Sequence, residues 1–145
     1  MSLRHMQIGE VAERVGLSLR TIRYYEEVGL VRPSARTPGG FRLYAEPDVA
    51  RLNLVKRMKT LEFSLEEMGD LLSLLDRLSD DERDDEQDDE QPGARGEIID
   101  RLSMYRSAAE QRCSALRAQL ETAEALAADL RTELSRQRRH ARMSR

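Results

Sequence analysis

Two arginines three residues apart, Arg20 and Arg23, lie in the run SLRTIRYYEEVGL, and two more, Arg36 and Arg42, flank the turn Pro38-Gly39-Gly40. A guanidinium is a planar fork of donors that pairs with guanine edges and with phosphate oxygens. Residues three apart on a helix share a face, so Arg23 can read a base while Arg20 reaches a phosphate. In a hairpin, Gly40 lets the backbone approach a sugar-phosphate strand and Arg36 and Arg42 anchor it. Chemistry of another kind is not set up. No nucleophile–base pair or paired-carboxylate pocket emerges, so the chain reads as a binder and not an enzyme. One cysteine, Cys113, excludes an intrachain disulfide and a multi-cysteine zinc site, and His5 and His140 stand alone near the ends. No metal or cofactor is expected.

The elements that must position these arginines are legible in the apolar spacing. Ile8, Val11, Ala12 and Val15 mark one face of a short helix that Gly16 ends. Ser18 caps a second helix to about Val28, with Ile22 and Tyr25 toward the core and Gly29 as its stop. Residues 34–44 read as a two-stranded hairpin. Glu46-Pro47-Asp48 opens a third helix that runs to about Leu61 through Val49, Leu52, Val55 and Met58. Ser64 and Glu67 form a capping box for a fourth helix through Met68, Leu71, Leu72 and Leu75. Lys56 and Arg57, late in the third helix, suit its C-terminus as well as they suit DNA. The pattern begins only at Ile8, so the residues up to Met6 read in part as an appendage.

The net charge of −3 hides an asymmetry. Residues 80–91 hold nine acids and one arginine, a net of −8, so the rest of the chain carries +5. Residues 1–63 hold eleven Lys/Arg against seven Asp/Glu. The local positive field, not the total, governs attraction to phosphate. The acidic run is too poor in apolar residues to fold alone and reads as a solvated linker.

A helical stretch from about Glu97 to Arg136 follows Pro92-Gly93 and Gly96. Its heptads place Ile99, Arg106, Cys113, Leu120, Ala127 and Leu134 at a, and Leu102, Ala109, Leu116, Ala123, Leu130 and Gln137 at d. Nine of these twelve are Ala, Ile or Leu, with Cys113 a tenth. Forty helical residues span roughly 60 Å, so the seam calls for a partner, and self-pairing into a homodimer is the reading. Cys113 reads first as a small core residue and second as a possible sensor thiol. The basic end from Arg138 is expected to fray. No membrane span or secretory pattern is present, which points to the reduced cytoplasm.

IGEVAERVGLSLRTIRYYEEVGLVRPSARTPGGFRLY followed by EPDVARLNLVKRMKTLEFSLEEMGDLL closely resembles the MerR family of bacterial transcription regulators, over about residues 6–75. The terminal helix resembles the family's dimerisation helix, which pairs antiparallel with its mate. The resemblance implies a mainly α fold: a winged helix-turn-helix DNA-binding domain at 6–79, an acidic linker at 80–96, a long antiparallel coiled-coil dimerisation helix at 97–137 and a basic tail at 138–145. It implies a sequence-specific homodimeric regulator that distorts promoter DNA at a palindromic operator for RNA polymerase, with an unknown effector. An architectural or recombination-accessory DNA-binding protein built on the same module is the alternative.

Residue by residue, Tyr25 matches a family tyrosine able to donate its hydroxyl to a phosphate. Lys59 matches a phosphate-contacting position. Phe41 stands where family members more often carry tyrosine, so a hydroxyl contact is lost there. Metal-sensing relatives carry cysteines near the end of the dimerisation helix and in the following loop. None follows Cys113 here, so a two-thiolate site within one subunit is not expected.

Overall fold

The computed structural model describes residues 4–83 and 93–144. The chain forms two compact units, residues 1–102 and 103–145. The first holds β1 (Met6–Gln7), α1 (Ile8–Val15), α2 (Leu19–Glu27), β2 (Ala35–Arg36), β3 (Arg42–Tyr44), α3 (Glu46–Thr60), α4 (Leu65–Arg83) and the first turns of α5 (Ala94–Met143).

α1 buries Val11 and Val15 and stops where Gly16 turns left-handed, φ 69°, its N–H donating to the Ala12 carbonyl at 2.9 Å. That left-handed turn is free of steric cost only for glycine. Ser18 then starts α2 by accepting from the Thr21 N–H at 3.1 Å, and Ile22 and Tyr25 enter the core four and seven positions later. Lys56 of α3 donates to the Val15 carbonyl at 2.9 Å and so caps α1 from outside. The helix end it meets is that of α1, not the end of its own helix that its place in the sequence suggested. Arg14 grips Glu46 with both terminal nitrogens, 2.6 and 2.9 Å, and ties α1 to the start of α3. That hydrogen bond is the main cause holding the Glu46 carboxyl below the ordinary glutamate range.

The hairpin forms as expected, with Ala35 opposite Leu43 and Arg36 opposite Arg42. A third strand joins it. β1 pairs with β3, Met6 opposite Tyr44, giving the order β1-β3-β2. Met6 and Tyr44 are both buried, which corrects the reading of Met6 as part of an appendage. A two-residue strand is too short to leave an alternation signal.

α3 buries Val49, Leu52, Val55 and Met58, one per turn, and its start is fixed by the Asp48 carboxylate accepting from the Ala45 N–H at 2.8 Å. Glu62, at φ 62°, makes the turn to α4. The reciprocal cap of α4 is complete: Ser64 Oγ accepts from the Glu67 N–H at 3.1 Å, and Glu67 accepts from the Ser64 N–H at 3.0 Å.

α4 continues to Arg83, four residues into the expected linker, and α5 starts at Ala94. The remaining acidic run, from residue 84, lies outside the described residues. In the first turns of α5 Ile98 is buried while Ile99 is exposed, and Arg101 pairs with Asp70 of α4. α5 runs to Met143 over 50 residues, so residues 138–143, expected to fray, are helical.

Candidate nucleic-acid interface

α2 turns Arg20, Arg23 and Tyr24 to solvent while Ile22 and Tyr25 hold its other face in the core. Neither Arg20 nor Arg23 makes a hydrogen bond or ion pair among the described residues, so both guanidiniums are available to a ligand. Tyr25, expected on a phosphate, is only 3% exposed, whereas Tyr24 is 45% exposed. Position 25 follows Ile22 by three, which puts its ring on the packed face, while both Tyr24 and Tyr25 line the groove beside α2.

Between α2 and the α3–α4 turn lies an open groove of about 480 Å³ whose lining includes Arg20, Thr21, Tyr24, Lys59, Phe63 and Met68. Lys59, thirty-nine positions after Arg20 in the chain, is thereby brought to the same groove. Two cations over an aromatic floor suit an anionic strand, whose phosphates meet the charges.

The hairpin presents Phe41 at its tip, 71% exposed, with Gly40 at φ 84° beside it. Its arginines, expected to anchor the hairpin on a backbone, also have partners inside the protein. Glu26 of α2, with a side chain only 11% exposed, accepts from Arg42 Nε at 2.7 Å and from the Tyr44 hydroxyl at 3.0 Å, and lies 3.6 Å from an Arg36 terminal nitrogen. Burial and this hydrogen bond push the Tyr44 hydroxyl up to about 12. The same carboxylate raises the already high pKa of Arg42. Arg36 also donates to the Gly40 carbonyl at 3.3 Å, which braces the turn. The wing and the reading helix are therefore joined through one carboxylate that the sequence reading missed. A signal was there: two arginines opposite each other on paired strands repel unless an anion sits between them.

Along α5, Ile99, Leu116, Leu120, Leu130 and Leu134 are exposed, each of the four leucines between 44% and 57%. Ala123 is exposed as well, while Leu102, Ala109 and Cys113 are half-buried. Among the described residues no group of three or more His, Cys, Asp or Glu is arranged to hold a metal ion. No described helix is long and apolar enough to cross a membrane.

Residues 6–75 match the family described as MerR HTH family regulatory protein. The chain is 45% identical over 71 residues to the mercuric resistance operon regulatory protein of Bacillus cereus, covering 49% of this chain and 54% of that protein. It is 49% identical over 81 residues to the HTH-type transcriptional regulator HmrR of Rhizobium leguminosarum bv. viciae, covering 54% and 62%. The chain thus spans a little over half the length of these curated relatives. Among solved structures, a MerR family transcriptional regulator from Bacillus cereus superposes with a TM-score of 0.54 at 27% identity, over 86% of this chain and 76% of that one. HiNmlR, a MerR family regulator lacking the sensor domain and bound to promoter DNA, superposes with a TM-score of 0.61 at 21% identity, over 81% and 76%. At that identity the likeness concerns the fold.

Proposed function

We propose that this chain, which belongs to the MerR family of HTH regulatory proteins through residues 6–75, works in the cytoplasm as a homodimeric, sequence-specific regulator of transcription. Each protomer lays α2 in the major groove and its β2–β3 hairpin on the flanking backbone. The observation that carries this reading is the pair of unengaged arginines, Arg20 and Arg23, on the exposed face of a helix that is tied to a basic hairpin. Arg23 is the base reader. Arg20 and Lys59 share a groove and contact phosphate, with Arg36, Gly40 and Phe41 meeting the adjacent backbone. Arg42 serves the same contact by positioning the hairpin. The protein binds and does no catalysis.

The exposed seam of α5, from Ile99 through Leu134, supplies the pairing surface, antiparallel to its mate, with Cys113 inside it. Two reading helices fixed at one separation fit a palindrome, and a dimer that changes shape distorts the DNA between the half-sites, which alters the path offered to RNA polymerase. An effector acts only through unequal affinity for those shapes. Footprinting on the promoter of the chain's own gene tests the reading. A single palindromic footprint within the promoter is expected. Protection of clustered sites away from promoters would instead establish the architectural alternative.

A further inference from the structure

Arg36 and Arg42 face each other across the β2–β3 ladder, where like charges directly opposite are destabilising. The group that lies against both is Glu26, which belongs to neither strand. It is nearly buried, and it accepts from the hydroxyl of Tyr44 as well as from Arg42. The arrangement has the chemistry of a phosphate held by two arginines, with a carboxylate in the anion's place.

We infer that Glu26 is a built-in counter-ion that takes the place of a DNA phosphate between the wing arginines, and is a positioning residue for DNA recognition. The inference rests on the DNA-binding reading and assigns a role within it. Two consequences follow from charge alone. First, the carboxylate holds the hairpin at one angle to α2, so that base reading and backbone gripping share a single register. Second, it partly neutralises two cations that would otherwise bind any duplex, because sequence-independent affinity scales with the phosphates a protein neutralises. The specific site loses less, since its register is set in advance. Glu26 therefore widens the gap between operator and random DNA by weakening the random term.

Glu26→Gln is the test, because the amide keeps one acceptor oxygen for Arg42 and an N–H that can donate to the Tyr44 oxygen, while removing the charge. Without DNA, hydrogen exchange of the hairpin amides from Thr37 to Tyr44 should quicken at low salt and return toward wild type as salt screens the Arg36–Arg42 repulsion. Wild-type exchange should be insensitive to salt. With DNA, affinity for a random duplex should rise several-fold at low salt, its salt slope should steepen by roughly 0.9 per protomer, and operator-to-random discrimination should fall about tenfold.

Adding Arg36→Gln to Glu26→Gln removes one member of the repelling pair and should restore hairpin protection. The double variant should likewise restore folding where the single variant fails to fold. Exchange in Glu26→Gln that matches wild type, or that quickens without salt reversal, overturns the inference, as does a double variant that rescues nothing. A salt-reversible hairpin in a protein that retains no genomic fragment would leave the counter-ion standing and sink the DNA-binding reading instead.

Discussion

Arg20 and Arg23 sit within one turn of α2, yet their substitutions should fail differently, because one is assigned to a phosphate and the other to a base. Arg23→Ala should cost operator binding about 1–3 kcal/mol and relax preference at one base-pair position. Arg20→Ala should weaken operator and random duplex alike and lower the salt slope by about one. Anisotropy titrations on both duplexes across a salt series separate the two. Equal losses on both duplexes for Arg23→Ala would remove it as the reader.

Tyr44 supports the same interface from the core side. Its folded pKa, about 12, lies above the ordinary tyrosine value of about 10, so the folded chain keeps a proton that the unfolded chain releases. The contribution is complete below about pH 10 and disappears as the pH climbs through about 12. Urea melts of wild type and Tyr44→Phe between pH 9 and 12 should therefore converge as the pH rises, by on the order of 2 kcal/mol. A constant offset between the two would show that the hydroxyl does not titrate in the folded protein as burial requires.

At the scale of elements, two glycines in or beside α1 invite opposite outcomes. Gly16 has φ 69°, and an added Cβ would meet Lys56 Nζ at 3.1 Å, where that ammonium caps the helix. Gly9, inside α1, has open space around an added Cβ. Gly16→Ala should lose about 1 kcal/mol or more, whereas Gly9→Ala should gain up to about 1 kcal/mol, as measured by thermal melts. The first outcome also bears on function, since Gly16 sets the turn that aims α2.

What the sequence disclosed divides along the same line. Elements announced by caps and periodicity were readable: Gly16, Ser18, the Ser64–Glu67 box and the buried residues of α3 stand where their local chemistry put them. β1 was not, because two residues cannot alternate. The role of Glu26 and the burial of Ile98 depend on what another element places beside them, and spacing along one helix carries no such information, whereas the burial of Tyr25 beside Ile22 was legible from that spacing. The arginines of the candidate interface were legible by type, and their facing positions called for an anion, but that the anion is Glu26 of α2 was visible only in three dimensions.

For the whole molecule, the decisive quantity is whether two reading helices act as one ligand. A single nine-residue reading helix with one basic hairpin offers few base contacts, and a palindrome rewards only a protein that holds two of them together. Linking two binding modules raises avidity about 10²–10⁴-fold through effective concentration, with no new contact to DNA. In this chain the link is assigned to the leucines exposed along α5, and a charge placed on that seam has no role in the fold of residues 6–75. Leu120→Glu combined with Leu134→Glu should yield a monomer by sedimentation at micromolar concentration, with the helical signature and the melt of the DNA-binding unit intact. Its operator affinity should drop by about 10²–10⁴-fold, toward that of one half-site. Arg23→Ala should do the reverse, leaving sedimentation unchanged while losing the operator. A double-glutamate protein that still sediments as a dimer would move the pairing surface away from the α5 seam, and one that binds the full operator as a monomer would remove pairing from the mechanism altogether.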